Sequence, residues 1–314
     1  MTQLTASEVL AKVQARQSLR RAELSHINLG GAQLDEGNFA RAYLRGANLT
    51  GASCSRANFS RATLVLAILS DVSLEGARLD AAELTCARLD RGILRELTAP
   101  QANFHGAALD QADLSFATLT HANLSEACGR GAHFKNANLV RANLTAADFS
   151  AASFGGAKLT RSVWRRAKLQ GTSFYLADLE AAVLAAADLT GANLTQADLL
   201  NASCEAAVLE GAILLQTQAD WATFSGASLA KADLERASLF GAQLEGTNLA
   251  QANLAGANLQ QANLENADLT GANFGTGRHQ AQVAGALFTD AKGLSAAQAA
   301  WLRQQGALNV LSES

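Results

Sequence analysis

Apolar side chains recur along this chain with a period of five. From residue 24 to residue 274, every fifth position is Leu or Phe, with six exceptions among 51: Cys54, Ala99, Gly129, Trp164, Cys204 and Ala219. Two residues before each of these Ala dominates, at 42 of 51 positions. Asn or Asp often stands between the two, as in QANLAGANLQQANLENADLTGANF. No net insertion or deletion breaks the frame.

A five-residue period suits neither regular element. An α-helix turns about 100° per residue, so the Leu stripe drifts about 140° per repeat and wraps every face. In a straight strand an odd period flips the apolar side chain from one face to the other at each repeat. A chain that bends once per repeat removes both conflicts. Leu or Phe then always points inward, with Ala beside it near the corner. Four bends close a square, so twenty residues make one coil. Phe134, Phe154 and Phe174 recur every twenty residues, as do Phe39 and Phe59, and are expected to stack.

The motif A(N/D)LxX, running from Ala22 to Phe274, resembles the pentapeptide-repeat proteins. The resemblance implies an all-β solenoid, a right-handed quadrilateral β-helix of about 13 coils; its open ends call for short α-helical caps at both ends. Strand-like spacing of about 4.8 Å makes this a rod of roughly 60 Å. The division expected is an N-terminal capping helix over 1–20, a repeat β-helix over 21–275 and a C-terminal cap over 276–314 with a helix at about 296–305. Thr5-Ala6-Ser7-Glu8 reads as a capping box opening a helix to about Leu19, with Val9, Leu10 and Val13 on one side. Ser295-Ala296-Ala297-Gln298 is a second one, and Gly306 stops the helix it opens. Trp301 and Leu302 are expected to cover the last coil. Gly275-Thr276-Gly277 breaks the frame, and Gly285-Ala286-Leu287-Phe288 restarts it in another register.

Three segments read as candidates for a bulge or loop. Gly92–Pro100 holds the only proline and puts Leu97 at a small-residue position. Cys128–Gly131 and Thr217–Trp221 are the others.

Composition adds constraints. Charged residues are 17%, aromatics 5%, and Lys+Arg 25 against Asp+Glu 28 leaves −3. That balance does not fit a strongly basic nucleic-acid protein, so no direct nucleic-acid binding is expected. Four cysteines without CxxC pairs favour a reducing compartment. With no signal sequence and no run of 18 apolar residues, the expectation is a bacterial cytoplasmic protein without membrane insertion.

The residues do not assemble into a reaction centre. His26, His105, His121 and His133 fall at outward positions, and no histidine has metal-ligand spacing. Paired carboxylates such as Asp35–Glu36 lie on a convex surface. Cys54 and Cys204 take inward positions as small apolar fillers, whereas Cys86 and Cys128 point outward. The Asn/Asp before each Leu reads as a turn cap. The expectation is no enzyme, no cofactor and no metal.

The outward apolar residues suggest a partner surface instead. Leu200, Trp221 and Phe240 come from successive coils of one face. Tyr175, Leu176, Ile213 and Leu215 project from its neighbour. The first of these faces also collects Arg41, Arg61, Arg78, Arg141, Lys158 and Arg161, then Asp178, Glu180, Asp198 and Asp220. The leading reading is a protein-binding scaffold or adaptor with another protein as partner. A terminal cap offers a surface for self-association. The terminal segments SEVLAKVQARQSLRRAELSHINL and AKGLSAAQAAWLRQQGAL are similar to pentapeptide-repeat proteins encoded beside type VI secretion clusters, which implies an accessory role in bacterial secretion. The alternative that the family implies is a DNA mimic that binds DNA gyrase. Duplex DNA carries one charge per about 1.7 Å, which a net −3 does not imitate.

Overall fold

The computed structural model describes residues 4–310. It divides into two compact units, Met1–Lys158 and Leu159–Ser314. Each is a stack of four-sided coils. In unit 1, parallel bridges join residues twenty apart, Glu23 to Tyr43 and onward to Asn138 with Lys158. In unit 2 the same offset runs from Val163–Val183 to Asn253–Asn273.

Among the described residues the coils contain no extended strands, only single-residue bridges. This departs from an all-β description, and the reason lies in the hydrogen bonds. Residues 48–52 show the pattern. Asn48 N–H donates back to the Ile27 carbonyl (2.9 Å), and Leu49 N–H forward to Ile68 (2.7 Å). Gly51 N–H reaches Ser70 (2.9 Å), and Ala52 N–H closes a turn on Leu49 (3.0 Å). The remaining N–H, on Thr50, is capped by Asn48 Oδ1 at 3.0 Å. A bend every five residues leaves no length for a strand, yet all five donors are satisfied. The same side-chain cap recurs at Asn123–Ser125, Asp198–Leu200 and Asn248–Ala250. That is why Asn and Asp stand before the inward Leu.

The second turn residue of each repeat has φ near +60°: +63° at Gly51, but also +59° at Arg41 and Trp221. This is the left-handed region that favours glycine. Forward and turn hydrogen bonds on either side hold ordinary side chains there.

The interior is filled. Leu, Phe and Ala at the frame positions are buried in both units, apart from the half-buried Ala22 and Ala32 near the start. Phe39 stacks on Phe59 (centroids 4.8 Å, 6° between planes), and Phe134 on Phe154 (4.6 Å, 10°). Exceptions to the motif compensate one another. A Cβ on Gly129 would lie 2.3 Å from Phe149 Cε1, so the ring occupies the room a Leu would take. Trp164 fills another inward position with its Nε1–H bonded to Ser162 Oγ (2.7 Å), while Ser162 donates to the Leu159 carbonyl (2.6 Å).

None of the three suspected segments loops out. Ile93 and Thr98 bridge to Asp113 and Thr118 in normal register, and Leu97 is buried. Pro100 falls at the repeat position whose N–H takes no backbone partner elsewhere, so its missing donor costs the coil nothing. Cys128–Gly131 stays regular because Phe149 fills the space over Gly129. Thr217–Trp221 stays regular because Thr217 Oγ1 donates to the Leu194 carbonyl (2.8 Å).

Helix α1 spans Ala6–Gln14, opened by the Thr5/Glu8 capping box. It ends short of Leu19: Arg16 turns left-handed (φ +54°), and Leu19 N–H already bonds Asn38 as part of the first coil. After Phe274 a 3₁₀ turn, Gly277–His279, intervenes. Bridges then join residues 24 apart, Asn258 to Gln282 and Asn263 to Leu287, so the coil resumes after a four-residue insertion. Helix α2, Ala296–Gln304, follows its own Ser295/Gln298 capping box, buries Leu302 and sets Trp301 against Phe274 (5.7 Å).

Candidate partner-binding surface

The packed interior sends every titratable side chain outward. Cys54 and Cys204 are the buried exceptions, and burial pushes both thiols up, Cys204 to about 12. They are protonated fillers and poor nucleophiles. Cys128 is also raised, to about 11, by partial burial and by donating to Asp110 Oδ1 at 3.2 Å. Among the described residues no group of His, Cys, Asp or Glu could hold a metal ion. His105 Nδ1 lies 3.0 Å from Ser125 Oγ, and His26 covers Gly46. The carboxylates with depressed pKa serve turns and ion pairs. Burial pushes Asp148 up, but hydrogen bonds from Ser150 and Arg130 outweigh it.

The seven outward apolar residues all lie in unit 2, and the structure brings together only some of them. Trp221, 51% exposed, lies over Gly241 of the next coil, where a Cβ would meet its ring at 2.4 Å. Its indole meets Phe240 edge-on at 5.3 Å, 84° between planes. Trp221 is thus neither fully free nor tucked under a loop. Leu200 does not join this pair. Asp220 stands between Leu200 and Phe240 in the stack of coils, its Oδ1 accepting from Phe240 N–H (3.1 Å) and Ser238 Oγ.

Tyr175 and Leu176 are exposed neighbours at one corner. The next residues of that corner column are Gln196 and Gln216, whose amides bond each other at 2.8 Å. Ile213 is exposed and stands between Asn193 and Asp233 in its ladder, and Leu215 is half-buried. The expected strip is therefore two aromatic-bearing groups, Trp221–Phe240 and Tyr175–Leu176, set among acids and amides. Unit 1 carries further exposed apolar residues that the sequence reading did not single out: Tyr43, Leu66, Ile68, Ile93 and Phe116. Their signal was available, since Leu66 lies in the apolar run 64–69 and Phe116 at a turn position.

Clefts are shallow features of the ends and edges. One of about 310 Å³ lies between α2 and the last coils, lined by Phe274, Gln280, Gln298 and Trp301. Another, about 450 Å³, is polar and bordered by Asp35, Arg56, Glu75 and Glu96. No helix among the described residues is long and apolar enough to cross a membrane.

Among solved structures the chain is similar to HetL, a pentapeptide repeat protein involved in heterocyst differentiation regulation from the cyanobacterium Nostoc sp. strain PCC 7120. The identity is 28%, over 91% of this chain and 97% of that one, with a TM-score of 0.33. Rfr23 from the cyanobacterium Cyanothece 51142 is 37% identical over 32% of this chain and 63% of its own, TM-score 0.28. QnrB1, a plasmid-mediated fluoroquinolone resistance protein, is 21% identical over 69% and 92%, TM-score 0.31. No curated protein matches the chain. The family model described as "Pentapeptide repeats (8 copies)" matches residues 27–65, 38–76, 57–95, 101–128, 130–163, 147–184, 164–201, 202–239, 220–254 and 237–275. Those segments take in most of the sequence, and the chain belongs to the pentapeptide repeat family.

Proposed function

We propose that this protein is a non-enzymatic scaffold that binds another protein, with Trp221 and Phe240 as the anchor. The observation that carries the reading is the exposed Trp221 set edge-on against a half-buried Phe240. A large indole is half in solvent at a corner position that small or polar residues could fill. Trp and aromatic neighbours are the usual anchors of protein interfaces. Tyr175, Leu176, Leu200, Ile213 and Leu215 flank it as secondary contacts. The right-handed sense of the coil, taken from the family, and the cap–repeat–cap division, read from the terminal capping boxes, belong to the same reading. So does a bacterial cytoplasmic setting. An accessory role in secretion rests on the terminal segments alone.

The alternative, a DNA mimic acting on gyrase, asks for dense acidic rows. The first 61 residues instead hold eight Lys/Arg against four Asp/Glu.

The test is quantitative capture from the native cell with wild-type and Trp221→Ala protein. A partner that binds through Trp221 should lose at least tenfold in affinity, about 1.4 kcal/mol. Equal recovery of every captured protein would refute the anchor.

A further inference from the structure

Two corner columns of unit 1 hold charges that pair across coils. Arg16, Glu36 and Arg56 stack in successive coils, with Glu36 3.9 Å from Arg16 and 3.3 Å from Arg56. Asp71 pairs with Arg91 at 2.7 Å. A third column has no such pairs. Arg21, Arg41 and Arg61 stand in three successive coils at the same corner, all with φ near +60°, and none meets a carboxylate within ion-pair distance. The nearby acids are engaged elsewhere. Glu23 accepts from Ser25 N–H (2.9 Å), and Asp80 from Ser60 Oγ (2.9 Å) and Arg78 Nε (3.3 Å). Three stacked like charges repel one another, and a partner that removes the repulsion gains from it.

Unit 2 holds the inverse. Asp178 bridges in parallel to Asp198 in the next coil, with Asp220 beside them. Their turn-capping bonds are made: Asp178 Oδ1 from Glu180 N–H (3.1 Å) and Asp198 Oδ1 from Leu200 N–H (2.9 Å). No Lys or Arg pairs with them.

We infer that the Arg21–Arg41–Arg61 row docks on the Asp178–Asp198–Asp220 row of a second copy of this chain. Spacing selects this occupant. Arg21, Arg41 and Arg61 advance one coil per charge, about 4.8 Å, and so do Asp178 and Asp198, while Asp220 lies one coil further on and two residues along the repeat. An extended acidic peptide offers same-face charges about 6.6 Å apart, and duplex phosphates advance about 3.4 Å per strand. Acids built on stacked coils share the advance of the arginines: Asp178 and Asp198 meet two of them in turn, with Asp220 beside the third. The net charges agree: +4 over residues 1–61 and −7 over the remainder, from 17 Lys/Arg and 24 Asp/Glu. The inference does not depend on the Trp221 anchor, because Trp221→Ala leaves every charge in place.

The experiment is sedimentation velocity of the full chain at about 0.05 M and about 0.5 M salt, conditions that differ threefold in screening length. Wild type should self-associate at low salt and weaken at least tenfold at high salt. Arg41→Glu/Arg61→Glu and Asp178→Arg/Asp198→Arg should each be monomeric, and their equimolar mixture should associate again. Asp178→Asn/Asp198→Asn keeps the capping oxygens and should also be monomeric, which covers misfolding of the arginine variant. A wild type that stays monomeric at both salts overturns the inference. So does self-association that none of the charge variants alters. If wild type is monomeric but binds duplex DNA through these arginines, the row serves nucleic acid and the inference also fails.

Discussion

Gly129 stands where the five-residue frame calls for Leu, so restoring the motif by Gly129→Leu would look stabilising from the sequence. The structure predicts the opposite. A Cβ at 129 would fall 2.3 Å from Phe149 Cε1 and 2.7 Å from Cδ1, against the 3.4 Å at which ordinary contact begins. Phe149 must retreat by more than 1 Å before the rest of the Leu side chain is placed. It has nowhere to go, since its ring is held edge-on by Phe134 (5.4 Å, 86°) and Phe154 (5.7 Å, 83°). Overpacking costs about 1–3 kcal/mol, and this geometry belongs at the upper end. Phe149→Leu alone opens a void beside Gly129 and also destabilises. The double variant places two Leu side chains in stacked positions, as the motif does elsewhere, and should recover most of the loss, with a coupling of about 1–3 kcal/mol. Denaturant unfolding of the four proteins measures the cycle. A Gly129→Leu protein as stable as wild type, or an additive double variant, would refute the account of how the interior is packed.

Other outcomes follow from the same frame. Leu139 is fully buried, so Leu139→Arg forces an unpaired charge inward and should cost several kcal/mol, roughly the stability of a domain, read as loss of the cooperative thermal transition. Proline should be tolerated at Ala250, whose N–H meets only Asn248 Oδ1, but not at Gln251, whose N–H donates to Thr270 (2.8 Å) at φ +60°. The two melting temperatures should differ by many degrees, and equal values would contradict the hydrogen-bond pattern. For Asp148, burial raises the carboxyl, and the bonds from Ser150 and Arg130 more than offset this. For Asp188, burial again raises, and Thr190 and Gln170 offset it. Both end below the ordinary 3.8. Their stabilisation is therefore present above that value and is lost as pH falls through the depressed folded pKa. Thermal unfolding at neutral pH and near pH 3 should show the acid sample less stable, and a flat profile would count against the capping role.

Much of this was legible in the sequence because the frame is geometric. An odd period, a large apolar residue and a small one two earlier leave little besides a four-cornered coil. The Asn/Asp preference was readable as turn capping, and the restart at Ala286–Phe288 appeared in sequence as a second register. What sequence misread were the exceptions. Pro100, Gly129 and Thr217 look like breaks in a one-dimensional pattern. Each is absorbed by something outside its own repeat: a position needing no donor, a ring from the next coil, a carbonyl 23 residues back. The helix ending at Gln14 depended on Arg16 turning left-handed, which an arginine does not announce. The partner surface was the least legible. Outward direction followed from the frame, but adjacency did not, and Asp220 separating Leu200 from Phe240 emerges only when coils are stacked.

The central claim is that the half-exposed Trp221 is covered by a protein partner. Oxidative footprinting of the protein, free and with its captured partner bound, tests it directly, with side-chain modification read residue by residue. The account predicts that Trp221 and Phe240 lose reactivity on binding, while Phe116 and Tyr43, exposed in unit 1 to a similar degree, keep theirs. A bound partner that leaves Trp221 as reactive as in the free protein would contradict it.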